Sequence, residues 1–212
     1  MLEISENIEI KKEFFRESII YTIDNFYKDP DQFLEFLSFI EPNVWKQEQK
    51  PSNNLIHFED RRHQIRSKEV GKVYSFLRKL AGIESISYEE QERLITTNFS
   101  RFKHNEFNDY SNNYWWPHED YGHTAIIYLN KGDSFSGTNL YENLNPKIEP
   151  PNYPEHYKPW RNKKNYAIIK TLEPKFNRMI LFNGNKFTHG MNICNDDYFG
   201  ESYRMNHVLF LG

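Results

Sequence analysis

Apolar positions recur along this 212-residue chain at two spacings, and the change falls near Leu94. Before it the spacing is helical. Phe33, Leu34, Leu37 and Ile40 mark one face, Asp29 is placed to cap it, Pro30 fits the first helical position, and Pro42 closes the segment. A second helix is expected over 67–81, where Val70, Val73, Leu77 and Leu80 share a face and Gly82 supplies the stop. Between them, residues 43–66 are polar and irregular, and no element is assigned there. The first third therefore reads as helical.

After Leu94 the runs LITTNFSRF, TAIIYLN, TNLYE, YAIIKTLE, RMILFN and YRMNHVLFLG are short, β-branched or aromatic, and punctuated by Gly, Asn, Asp and Pro. Six short strands after two helices predict a mainly β fold with N-terminal helices (α+β), an antiparallel sandwich or barrel with helices packed outside it. Residues 142–165 break this rhythm with five of the ten prolines, Pro146, Pro150, Pro151, Pro154 and Pro159. A connection of that length and stiffness is expected to be a flap over a site, anchored by Tyr153, Tyr157 and Trp160. The organisation expected is a single domain, 1–212, with a helical support region at 1–93 and a β core at 94–212.

Composition narrows the function classes. The formal charge of −3 gives no basic surplus, so a nucleic-acid partner is not expected. A single cysteine, Cys194, excludes an internal disulfide and a Cys-rich zinc site. Charges interrupt every apolar run near the N-terminus and no window reaches membrane-span length, so a cytoplasmic protein with no membrane partner is expected. Aromatics reach 17%, and the core must lean on large rings.

Candidate chemistry concentrates in WWPHEDYGHTAIIYLN. On an extended strand His118 and Asp120 would point to one face, about 6–7 Å apart at the backbone, which lets an imidazole and a carboxylate share a metal. His189, after the run RMILFN, is the natural third ligand. Two histidines and one carboxylate leave open coordination positions, as in non-haem Fe(II) oxygenases. Two further pairs, His57/Glu59 and His104/Glu106, have the same spacing without the context. His123 is three positions after Asp120, off its strand face. His57, His63, His104, His156 and His207 are read as ordinary structural histidines.

The order of these segments resembles the catalytic core of Fe(II)/2-oxoglutarate-dependent dioxygenases, in particular their prolyl-hydroxylase-like branch. The resemblance rests on His118/Asp120, the IIYLN run ending at Asn130, Gly137 before TNLYE, RMILF, His189, and Arg204 on the last run. It implies a double-stranded β-helix (jelly roll) over residues 94–212, buttressed by the helices. It also implies Fe(II) on His118, Asp120 and His189, 2-oxoglutarate as cosubstrate held by Tyr128 and Arg204, and O2 as oxidant. The implied activity is hydroxylation of an unidentified peptidyl residue or small molecule, forming succinate and CO2. Arg204 stands fifteen residues after His189, against about ten in many relatives, which fits a longer turn at NDDYFGES. Arg101 is the second choice for that cation. The alternative reading is a non-oxidative cupin-like enzyme or a catalytically silent jelly-roll metal-binding module.

Overall fold

The computed structural model describes residues 2–39, 46–48, 58–63, 68–84, 96–104, 111–132, 137–148, 160–193 and 204–212; side chains of 37, 46–48, 58–63, 68, 96–104 and 204 are outside that description. In chain order the elements are β1 (Glu9–Phe15), β2 (Ser18–Asp24), α1 (Pro30–Ser38), β3 (Lys46–Glu48), β4 (Phe58–His63), α2 (Lys68–Ala81), β5 (Thr96–His104), β6 (Asn113–Trp115) and β7 (His123–Tyr128). They continue with β8 (Thr138–Asn143), β9 (Trp160–Asn162), β10 (Tyr166–Leu172), β11 (Met179–Asn183), β12 (Thr188–Met191) and β13 (Arg204–Leu211).

Both expected helices form, for the reasons the sequence offers. The Asp29 carboxylate accepts the Gln32 amide at 3.0 Å, which caps α1 ahead of Pro30. Gly82 takes φ +70°, and the amides of Gly82 and Ile83 bond back to Lys79 and Arg78. Phe33, Val70, Val73, Tyr74 and Leu77 are fully buried. The helical reading of the first third is nevertheless incomplete, because it begins with the β1–β2 hairpin. Arg16 and Glu17 at its tip have φ 44° and 61°, the left-handed pair of a type I′ turn.

The strands divide among three antiparallel sheets. The largest runs β1-β2-β11-β7-β13-β5-β4-β3, the second β10-β8-β12, and the third pairs β6 with β9. In β7 and just after it the side chains of Ala125, Ile127 and Leu129 face the helices, in a cluster with Ile23, Phe26, Tyr27, Met179, Leu181, Leu209 and Leu211. Ile126 and Tyr128 alternate onto the other face, where Ile180, Phe182 and Phe187 meet Leu140 and Leu172 of the second sheet. Apolar residues on both faces explain why the β7 run lacks polar alternation.

This topology corrects the jelly-roll expectation. The fold is mixed α and β, with three separate antiparallel sheets and none closed into a barrel, which does not match a double-stranded β-helix. The family resemblance implied that fold, so the prolyl-hydroxylase-like assignment, 2-oxoglutarate-dependent dioxygenase activity and hydroxylation are corrected with it. The jelly-roll part of the alternative reading is corrected equally.

The proline-rich insert also reads differently at its ends. Residues 142–148 finish β8 and turn, while Trp160 and Arg161 are buried in β9, paired with β6. Tyr153 and Tyr157 lie outside the described residues, as do His57, His156 and Cys194.

One ion-pair cluster joins the hairpin to the sheet interior. Arg178 grips Asp24 through Nε at 2.6 Å and Nη2 at 3.0 Å, and Lys175 adds a contact at 2.9 Å. The Arg178 hydrogen bonds, opposed by burial and helped by Lys175, hold the Asp24 carboxyl down at about 2. Asp24→Asn should lower stability at pH 7 by about 1.5–3 kcal/mol, the usual worth of a hydrogen bond to a charged group. Urea unfolding checks it; a change below about 0.5 kcal/mol would place the pair among ordinary surface ion pairs.

Candidate metal centre

The three expected ligands meet. His118 lies between β6 and β7 in an isolated bridge with His189 of β12, their backbones bonded in both directions at 2.9 and 2.7 Å. Asp120 follows, its amide donating to the Gly184 carbonyl at 3.1 Å. The ligand atoms of His118, Asp120 and His189 all lie within 4.8 Å of one another, and they form the one such cluster among the described residues. The pair thus sits before a strand rather than on one, and the bridge does the aligning that the spacing argument assigned to an extended strand.

Ring orientation identifies the donor atoms. His118 Nδ1 donates to the Trp116 carbonyl at 2.6 Å, and His189 Nδ1 donates to the Phe187 carbonyl at 2.9 Å. A carbonyl only accepts, so each Nδ1 carries a proton and each Nε2 is the nitrogen that could bind a metal. Those nitrogens face Asp120: His189 Nε2 is 3.1 Å from Oδ2 and His118 Nε2 is 3.5 Å from Oδ1. Ligand bonds of about 2.1 Å place neighbouring donors about 3.0 Å apart in an octahedron and about 3.4 Å apart in a tetrahedron. The observed separations fit a shared ion.

Asp120 is fixed from two further sides. Thr124 donates its hydroxyl to Oδ2 at 2.6 Å. At Gly184, an added Cβ would lie 2.5 Å from Thr124 Oγ1 and 2.8 Å from the Asp120 Cβ, so only glycine leaves that contact intact. Burial raises the Asp120 carboxyl, but the charge and hydrogen bond of His189, the charge of His118 (each imidazole protonated when no metal takes its Nε2) and the Thr124 hydroxyl outweigh it and keep the group ionised. The intervening Glu119 turns away and accepts from Thr188 at 3.0 Å. Thr124→Val should weaken Co(II) binding about 10–100-fold, as loss of an outer-shell partner does. Competition with a chelating dye measures it, and unchanged affinity would remove Thr124 from the centre.

The other candidates are placed as follows. Tyr128 is buried on the face toward the second sheet, its hydroxyl sharing a 2.9 Å hydrogen bond with Thr138 of β8. Arg204 opens β13 and Arg101 belongs to β5; neither side chain is among those described. Asn130 accepts the Met205 amide at 2.6 Å. His123 starts β7, and burial lowers its imidazole. Trp115 is buried with its ring 4.8 Å from Trp160, so it is packing, and Tyr121 is exposed. Among the described residues no helix is long and apolar enough to cross a membrane.

Thr124, Gly184 and the carbonyls of Trp116 and Phe187 escaped the sequence reading. Carbonyls carry no residue-type signal, but the glycine in FNGNKFTHG, close before the distal histidine, is a trace of the close approach. The chain matches no known protein family and no curated protein.

Proposed function

We propose that this protein holds one divalent first-row transition ion, Fe(II) by preference, on His118 Nε2, His189 Nε2 and the Asp120 carboxylate, and works through the positions those ligands leave open. The observation that carries the reading is the number and aim of the donors. Structural zinc sites take four protein ligands, whereas sites that act on a ligand keep positions free. Three described donors converge here, with both imidazoles locked Nε2-inward. Two histidines and one carboxylate are the set associated with non-haem iron. Exposure supports an open side: the side chain of His118 is 25% exposed, against 5% for His189.

The bound ion supplies Lewis acidity, or one-electron chemistry if it is iron, to a ligand at the open positions. The chain's own residues do the rest. Asp120 contributes the negative charge, Thr124 fixes its rotation, and the backbone carbonyls hold the rings. Phe182 packs edge-on against His189 at 4.9 Å and keeps water from the buried side. Tyr128, facing the apolar space between the two sheets, is the ligand-contact residue of this reading.

Titration of the metal-free protein with Fe(II) under anaerobic conditions, and with Co(II), tests it. One equivalent should bind, and the Co(II) absorption should change when azide is added, because open positions accept it. No binding, or a spectrum indifferent to azide, would contradict the reading.

A further inference from the structure

We propose that Trp116 is a positioning residue for the metal centre: its left-handed backbone turns its own carbonyl onto His118 Nδ1 and so presents Nε2 to the metal. The inference rests on the metal-centre reading above and deepens it.

Trp116 has φ +52°, a region that bulky residues avoid, and it precedes Pro117, which further disfavours any conformation but the extended one. Such a residue persists only where its surroundings over-determine it. Here they do. On one side Trp115 is buried against Trp160, and on the other His118 is bonded to His189 through both backbone groups. The turn between them lies directly on β12: a Cβ on Gly190 would be 2.4 Å from the Trp115 carbonyl oxygen and 3.0 Å from that of Trp116. One strained turn therefore touches both ligand histidines. It accepts from the ring of the first and rests on the residue that follows the second. The Trp116 indole is a separate feature, 6.3 Å from the His118 ring, and it is the rival explanation for any effect of substitution.

A graded series separates the two. Trp116→Gly, Trp116→Ala and Trp116→Val all remove the indole, but tolerance of positive φ falls from Gly to Ala to Val. Co(II) affinity is measured for each in protein shown to be folded by circular dichroism, together with hydrogen exchange of the His118 ring N–H, read by paramagnetic NMR. Trp116→Gly should stay within a few-fold of wild type, while Trp116→Val should bind about 10–100-fold more weakly and exchange its ring proton faster. The Gly–Ala pair carries the same test should the Val variant fail to fold. Equal losses across the series would assign the effect to the indole and overturn the proposal. Equal retention would overturn it too. Wild-type protein that takes up no Co(II) would remove the metal centre and this inference together, an outcome distinct from either.

Discussion

His118→Ala and Asp120→Ala should each fold and should each fail to retain metal. The two apolar clusters that hold the sheets and helices together include neither residue, so the cost to the metal-free protein is local. The cost to the centre is not. Loss of an outer-shell partner already weakens a site about 10–100-fold, and loss of one of three direct ligands must exceed that. Asp120 is also the one carboxylate of the cluster, so its removal leaves two imidazoles with no charge to offset the ion's. The contrast is clearest in thermal melting with and without Co(II). At free metal 100 times its dissociation constant, wild type should gain about 2.7 kcal/mol, and the variants should gain almost nothing. A variant that kept the full metal-induced stabilisation would remove that residue from the ligand set.

The second large effect is acid lability, and it comes from the far side of the large sheet. His207 is completely buried on β13, with its Nδ1 2.5 Å from the Tyr27 hydroxyl and its ring stacked on that of Tyr27. Burial pushes the imidazole down to about 3 from an ordinary 6.5. Between those values the unfolded chain binds a proton that the folded chain refuses, so stability rises with pH across the window. The contribution is fully present above 6.5 and is lost as pH falls toward 3, on the order of several kcal/mol in all. Asp24 adds in the same direction lower down, between its ordinary 3.8 and about 2. Urea unfolding from pH 7 to pH 4 should show the steep loss in wild type. The double variant Tyr27→Phe/His207→Phe replaces both hydrogen-bonding groups by rings of similar shape and should flatten the profile. An equally steep profile in the double variant would mean that other groups set the acid limit.

Much of the site was legible, and for a physical reason. The clustered groups are side chains, and their residue types and spacing stand in the sequence: His118 and Asp120 two apart, His189 beside a later strand. What orients them was not legible, because Trp116 and Phe187 act through carbonyls that every residue owns, and Thr124 and Gly184 act through contacts made only when distant segments meet. The helices were readable from Asp29, Pro30 and Gly82, each acting locally. The β1–β2 hairpin was missed because its turn carries Arg16 and Glu17 where Asn-Gly is expected, and because Ile10 and Phe14 are exposed, which blurs the alternation. The jelly-roll expectation failed on pairing: the runs form strands, but which edges they share depends on register between distant segments.

The proposed function depends on one ion between His118, Asp120 and His189. Anomalous scattering from crystals grown with Co(II) tests it directly. A single strong peak is expected about 2.0–2.2 Å from Nε2 of both histidines and from an Asp120 carboxylate oxygen. A peak elsewhere, ligation through Nδ1, or no peak at the triad at saturating Co(II) would contradict it.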